Sequence, residues 1–300
     1  MTRRRRIVLG IALGVLGLVA LFIFRPEGST LKSMGENRTT ASRDGTTIAY
    51  TKLGNGPPLI LVDGAFCYRA NGPAPELAPL LAQHFTVFAY DRRGRGESGD
   101  APTYSVEREV EDLRAVLDQA GGSAFVVGIS SGAGVALQAA AAGANIKKLA
   151  LYEPPYITDD GRPRTYEAAK GRLRQLVSTG DREGAATLFL TDIMGAPRGF
   201  VTAMPVLMRR AWARMASVAP TLPYDLTILE DWSVLRERSG AISAPTLVIG
   251  GERSPGELRD AVSTVAHALP NARSRLLAGQ DHNLSATALA PVLVEFFESK

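Results

Sequence analysis

Cysteine is almost absent from this chain of 300 residues: Cys67 stands alone. No intrachain disulfide can therefore staple the fold, and its stability must come from packing. Histidine is nearly as scarce. The three present have no metal-ligand spacing, which argues against a zinc site. A surplus of one charge sign is also missing once the N-terminus is set aside. Residues 1–25 hold five arginines and no acid; removing those five from 34 leaves 29 basic against 30 acidic residues, about −1 net. The formal charge of +4 is an end effect and not a nucleic-acid surface. No internal repeat or low-complexity tract follows residue 45. What the chain does have is a hydrophobic fraction of 45%, enough for one large core or two small ones.

The N-terminus differs from the rest. Arg3 to Arg6 precede an uncharged run from Ile7 to Phe24. As a helix at ~1.5 Å per residue it reaches about 27 Å, close to the hydrocarbon core of a bilayer. The arginines should stay cytoplasmic and send the remainder across. Residues 1–25 are therefore expected to be a single-pass membrane anchor, with the following domain extracytoplasmic. The alternative is a secretory leader that is cleaved. Leaders have shorter apolar runs ending in small residues, whereas this one ends Phe22-Ile23-Phe24-Arg25-Pro26. Residues 26–42, rich in Gly, Ser, Thr and Asn, read as a linker.

From Asp44 onward, apolar runs alternate with helical patterns. Strands are expected at Thr47–Leu53, Leu59–Val62, Thr86–Tyr90, Ala124–Ile129, Leu149–Tyr152, Thr246–Gly250 and Arg275–Leu277. Several are continuous in Val, Ile and Leu, as strands buried on both faces should be. Ser105 is placed to cap a helix whose apolar positions Val106, Val110, Leu113, Val116 and Leu117 follow helical spacing. A last helix should run from about Ser285 to Glu298. Alternating strands and helices argue a mostly parallel sheet covered on both faces. Residues 157–240 break the alternation with helical patterns alone. They read as an insertion over the C-terminal edge of the sheet, where ligands of such folds bind.

Three segments carry chemistry. Gly128-Ile129-Ser130-Ser131-Gly132 follows an apolar run and opens a helix of small residues. A serine in that setting is forced onto a tight turn that presents its hydroxyl. The N–H of Ser131, at the start of the helix, can meet a developing oxyanion. Asp91-Arg92-Arg93-Gly94-Arg95-Gly96-Glu97-Ser98 follows another apolar run. His282 stands late, in Gly279-Gln280-Asp281-His282. Against these stand blander accounts, a helix-capping serine and a surface histidine. Asp91 reads as a turn-holding aspartate, and Arg92, Arg93 and Arg95 as surface charge or partners of Glu97 and Asp100.

With these motifs in this order, the chain from about Asp44 to its C-terminus resembles the α/β-hydrolase family. The resemblance implies an α/β-hydrolase core (residues 43–156 and 241–300) around an eight-stranded sheet. It also implies a helical cap after the sixth strand (residues 157–240) and a nucleophile, acid and base in the chain order Ser, acid, His. Ser130 would be the nucleophile and His282 the base. Oxyanion donors would be the N–H groups of Ser131 and of Ala65, with Phe66 the alternate. Asp63 stands where the family usually has histidine. An anion there would oppose the oxyanion unless it turns back to bond backbone groups.

The acid is open at this stage. The usual aspartate position, after the seventh strand, becomes Ser254, which is no anion. Glu153, directly after the sixth strand and before Pro154-Pro155, is the first choice. Glu252 is the alternative acid, and Asp281 the next.

The resemblance implies a serine hydrolase acting on a small or medium acyl compound. An ester ranks first, then a lactone or thioester, with no cofactor and no metal. A non-catalytic relative that binds a lipophilic ligand or a partner is the rival. Leu188, Met194, Met204, Leu207, Met208 and Trp212 of the insertion are apolar enough to face such a substrate, or to form the insertion's own core.

Overall fold

Continuous runs of Val, Ile and Leu bury strands on both faces, and the strands of this chain assemble accordingly. The computed structural model describes residues 31–156, 162–230 and 237–299; for residues 162–166 it describes the backbone. After a short helix α1 (Leu31–Met34) come β1 (Glu36–Ala41), β2 (Thr47–Leu53), β3 (Pro58–Val62), α2 (Ala74–Leu81) and β4 (Thr86–Tyr90). Next are α3 (Val106–Gln119), β5 (Ala124–Ile129), α4 (Ser131–Ala141) and β6 (Ile146–Tyr152). Helices follow before the sheet resumes with β7 (Thr246–Gly251), α10 (Gly256–Ala268), β8 (Ala272–Leu277) and α11 (Ala286–Glu298).

One sheet of eight strands runs in the order β1-β2-β4-β3-β5-β6-β7-β8. The β1–β2 and β2–β4 pairs are antiparallel, and every later pair is parallel. Period-two side-chain alternation divides the strand residues between two cores. Ile60, Val62 and Val126 meet α3, α4 and α10 on one face. Leu59, Leu61, Val127 and Ile129 meet α2 and α11 on the other, where Leu289, Leu293, Phe296 and Phe297 are all buried.

Two strand boundaries differ from the sequence expectation by three residues, β6 starting at Ile146 and β8 at Ala272, and two by one residue, β3 starting at Pro58 and β7 ending at Gly251. The added residues include exposed Lys147 and Arg273, which carry no hydrophobic signal. Ser105 occupies the N-cap of α3 in extended conformation, but its hydroxyl makes no capping bond.

The linker expected over residues 26–42 needs correction. Leu31 is fully buried, and Glu36–Ala41 forms the edge strand β1, in register from Glu36 opposite Lys52 to Ala41 opposite Thr47. Five of its six residues are exposed. Backbone pairing holds it, with almost no burial, so its polar sequence reads as a tether. The anchor expected over residues 1–25 lies outside the described residues. Among those described, no helix is long and apolar enough to cross a membrane.

Between β6 and β7 the described residues form helices: α5 (Arg162–Ser178), α6 (Arg182–Leu188), α7 (Arg198–Leu207), α8 (Arg209–Val218) and α9 (Leu222–Glu230). Asp181 caps α6 by accepting from Gly184 N at 2.8 Å. The cap has a core of its own. Leu188, Met204 and Trp212 are buried in it and Met194 and Met208 pack against it, while Leu207 is exposed. Phe66, from the loop after β3, is the core domain's buried member of this cluster, edge-on to Phe189 with ring centroids 5.4 Å apart, and Ala65 and Tyr68 of the same loop pack against it.

A truncation tests the role of the edge strand. A chain starting at Arg43 loses buried Leu31, worth about 2–3 kcal/mol, and uncovers the edge of β2. Against a chain starting at Ser29, it should melt at least roughly 5 °C lower and aggregate more readily. Equal thermal melts for the two chains would show that β1 contributes no stability.

Candidate active site

Among the described residues, only three that are not glycine have positive φ: Phe66 at 62°, Ser130 at 54° and Glu153 at 45°. Such backbone is costly for a side chain with a Cβ and persists only where the surroundings enforce it. All three lie just past the C-terminal ends of neighbouring strands β3, β5 and β6.

Ser130 turns the chain from β5 directly into α4. Its N–H donates to Tyr152 O at 2.9 Å, tying the turn to the end of β6. A Cβ on Gly132 would overlap Val62 O, and one on Gly128 would come within 2.6 Å of Ala133 Cα. Both glycines of the motif are therefore required by close backbone approach. Ser131 is the first residue of α4, so its N–H lacks a helical acceptor. The loop after β3 lies directly against the serine: a Cβ on Gly64 would sit 2.9 Å from Ser130 Cβ. Ala65 and Phe66 follow in that loop. Asp63, one residue earlier, is buried, and its carbonyl accepts from Arg92 Nη1 at 3.3 Å.

Glu153 has no exposed surface. Its Oε2 lies 2.7 Å from Nδ1 of His282. Its Oε1 accepts from Gly251 N at 2.7 Å and from the Ser254 hydroxyl. Burial alone would push this carboxyl up. The hydrogen bond and charge of His282, with the donors Ser254 and Gly251, outweigh it and hold the group below the ordinary carboxylate value. Tyr152 Oη donates to Asp281 O at 2.5 Å, fixing the loop that carries His282.

The other two acids considered from sequence lie elsewhere. Glu252 is exposed. Asp281 accepts from Asn283 N at 2.8 Å within its own turn. From sequence, Ser254 is only a residue unable to replace an aspartate. It is buried and donates to the carboxylate that reaches the ring from β6, a role invisible without knowing that the ends of β6 and β7 are neighbours.

The arginines after β4 are not surface charge. Arg92, Arg93 and Arg95 are 1%, 0% and 2% exposed. Arg92 chelates Glu109 through Nε (3.0 Å) and Nη2 (2.6 Å). Arg93 chelates Asp112 at 2.8 and 2.7 Å. Arg95 chelates Asp225 of α9 with Nη2 at 2.9 and 2.8 Å, and Arg92 Nη1 reaches the same carboxylate at 2.9 Å. Burial acts to raise Asp225, but the charges of Arg95 and Arg92 hold it below its ordinary value. Asp91 does hold its turn, accepting from Arg69 N at 2.7 Å and Glu97 N at 2.9 Å. Forked guanidinium geometry suits such buried pairing. Sequence reasoning missed it because charge is normally taken as exposed.

With the sheet order, the serine turn and the glutamate–histidine pair established, comparison with known proteins is direct. A family profile described as "Alpha/beta hydrolase family" matches residues 55–293. The chain belongs to the alpha/beta hydrolase family. Among solved members, an alpha/beta hydrolase from Sphaerobacter thermophilus DSM 20745 is 48% identical, with a TM-score of 0.79 over 87% of this chain and 100% of that one. The enol-lactonase from Burkholderia xenovorans LB400 is 22% identical, with a TM-score of 0.65 over 87% of this chain and 100% of its own. An esterase from Rhodococcus sp. ECU1013 is also 22% identical, with a TM-score of 0.60 over 88% and 98%. The last two share the fold.

The buried carboxylates carry a pH signature. Glu153 and Asp225 titrate below their ordinary values in the folded chain, so the unfolded chain binds more protons in acid and stability rises with pH there. Their contribution is complete above about pH 4.5, the ordinary carboxylate range, and is lost as pH falls through the lowered folded values. Asp112 has the opposite sign. Burial raises it to about 6, so it takes up its proton on the folded chain first and favours the fold as pH drops through 6. Melting temperature should therefore rise slightly from pH 7 to 5, as Asp112 takes up its proton, and fall below about 4.5. Glu153→Gln should make the acid fall shallower; an unchanged acid limb would mean that this carboxylate does not titrate below its unfolded value.

Proposed function

We propose that this family member is a serine hydrolase that cleaves a small or medium acyl compound, an ester first, through an acyl-enzyme. The observation that carries the reading is the 2.7 Å pair of His282 Nδ1 and the fully buried Glu153 carboxylate, at the same strand ends as the strained Ser130. A carboxylate on one ring nitrogen leaves the other as the base. His282 then takes the proton of Ser130 Oγ as that oxygen bonds the carbonyl carbon of the substrate. Negative charge moves onto the carbonyl oxygen, where the N–H groups of Ala65 and Ser131 are the donors. The C–O bond to the alcohol breaks as His282 returns the proton to it. Water repeats the sequence in reverse, releases the acid and restores Ser130. Glu153 stays ionised and stabilises the imidazolium.

Relatives named as an esterase and an enol-lactonase make esters and lactones the first substrates to try. The rival reading, a non-catalytic relative, rests on the lack of an aspartate after the seventh strand and on Asp63; the first ground falls, because the Glu153 carboxylate meets His282 Nδ1 at 2.7 Å. We also assign residues 1–25 to a membrane anchor, on the arginine cluster and the apolar run after it, with the hydrolase domain on the extracytoplasmic side.

The central test is substitution. Ser130→Ala should abolish turnover of p-nitrophenyl esters and labelling by a fluorophosphonate while the melt is unchanged. Glu153→Gln should lower the rate about 10²–10⁴-fold, whereas Glu252→Gln should leave it within about threefold of the parent. Labelling of the Ser130→Ala chain, or ester turnover that survives it, would mean another nucleophile. The full-length chain should sediment with membranes, and a mature N-terminus between residues 20 and 35 would show leader cleavage instead.

A further inference from the structure

Asp225 belongs to the cap helix α9, yet its carboxylate is fully buried and meets groups on both sides of the turn at Ser130. Ser131 Oγ donates to Oδ1 at 2.7 Å. Arg95, held to the same carboxylate through Nη2, donates from Nη1 to Gly64 O at 2.6 Å and to Cys67 O at 3.4 Å. Arg92, also on Oδ1, donates from Nη1 to Asp63 O at 3.3 Å and to Ser131 Oγ at 3.3 Å.

The planarity of the peptide bond turns these contacts into an aiming device. Gly64 C=O and Ala65 N–H lie in one peptide plane and point in opposite directions. Pinning Gly64 O with Arg95 therefore aims the Ala65 N–H. The preceding plane is held in the same way through Asp63 O. On the other side, the Ser131 side chain is locked between Asp225 and Arg92, which fixes the residue that supplies the second N–H. Packing points the same way: Phe66, next to Ala65, is buried among cap residues.

We infer that Asp225, clamped by Arg92 and Arg95, is a positioning residue for the oxyanion hole, so that the seating of α9 on the core aims both donor N–H groups. The inference rests on the serine-hydrolase reading above. It makes the cap part of the catalytic geometry as well as a cover.

The test separates aiming from stability. Ser131→Ala removes one aiming contact and leaves every buried arginine paired. It should lower kcat about tenfold, a fraction of the 10²–10³ lost when an oxyanion donor is deleted outright, and change KM less than about twofold. A trifluoromethyl ketone forms a tetrahedral adduct bearing the oxyanion, so its Ki should rise by the same factor as kcat falls. Asp225→Asn should cost about 10–100-fold in kcat, with Ki again in parallel. The double variant should lose less than the product of the two single losses, because Ser131 and Asp225 share one contact. Asp112→Asn breaks the neighbouring buried pair with Arg93; it should lower the melting temperature and leave kcat per folded molecule and Ki unchanged.

Parental kcat and Ki in Ser131→Ala would overturn the inference, even if Asp225→Asn fails to fold. A Ser131→Ala chain in which KM rises with kcat constant would overturn it as well. If Ser130→Ala keeps its turnover, the hydrolase reading itself fails; if Ser130→Ala is dead and Ser131→Ala is unimpaired, only the positioning role fails.

Discussion

A carboxylate stripped of water must have its lone pairs met by donors or charge, and this molecule is organised around two of them. Glu153 is met by an imidazole, a hydroxyl and a backbone N–H, and Asp225 by two guanidinium groups and a hydroxyl. Neither cluster is an efficient way to gain stability, because desolvating ions costs several kcal/mol each and apolar side chains of like volume often serve as well. What such clusters supply is direction. A guanidinium fork or an imidazole accepts its partner over a narrow range of angles, so groups joined through them cannot drift as groups packed by hydrocarbon can. Breaking one member leaves an unmatched buried charge, which is why the arrangement holds as a unit.

The two carboxylates divide the work along the sheet. Glu153 ties the end of β6 to that of β7 and to the loop carrying His282. Asp225 ties α9 to the loops after β3 and β4 and to the first turn of α4. Ser130 lies between them, just past the end of β5, the strand between β3 and β6. Strain is concentrated at the same three strand ends, in Phe66, Ser130 and Glu153. A backbone that would relax by itself is held on each side by a network that cannot yield without exposing a charge to hydrocarbon.

Parts of this were legible in the sequence for definite reasons. Strands buried on both faces announce themselves as unbroken Val, Ile and Leu, and the serine turn by glycines that the close approach of α4 to β3 demands. Glu153 was legible as a candidate because it follows such a strand at once and precedes two prolines. Choosing it over Glu252 and Asp281 needed the position of His282, set by packing far along the chain. β1 was illegible because an exposed edge strand is specified by its partner's backbone and not by its own side chains. Asp225 left no local trace at all: it stands on a helix 130 positions from Arg95, and a charged residue in an amphipathic pattern is taken for the wet face. The arginines failed for the same reason. Burial of charge is decided by partners, and partners of this kind are distant in sequence.

The pairing of Glu153 with Ser254 shows how two adjacent strand ends can jointly hold one anion against an imidazole. In the family pattern the carboxylate stands after the seventh strand, where this chain has Ser254. A serine there cannot carry the charge, but it is a donor of the right reach for a carboxylate arriving from β6. The Gly251 N–H, from the end of β7, fills the second place on the same oxygen. What the imidazole requires is an anion at a fixed point beyond Nδ1, with its remaining lone pairs satisfied. Neighbouring strands end side by side, so either can deliver that anion provided the other supplies donors. With the carboxylate after β6 and the hydroxyl after β7, the anion facing His282 has its other oxygen met by two donors, so a serine at position 254 is compatible with a charged partner for the ring.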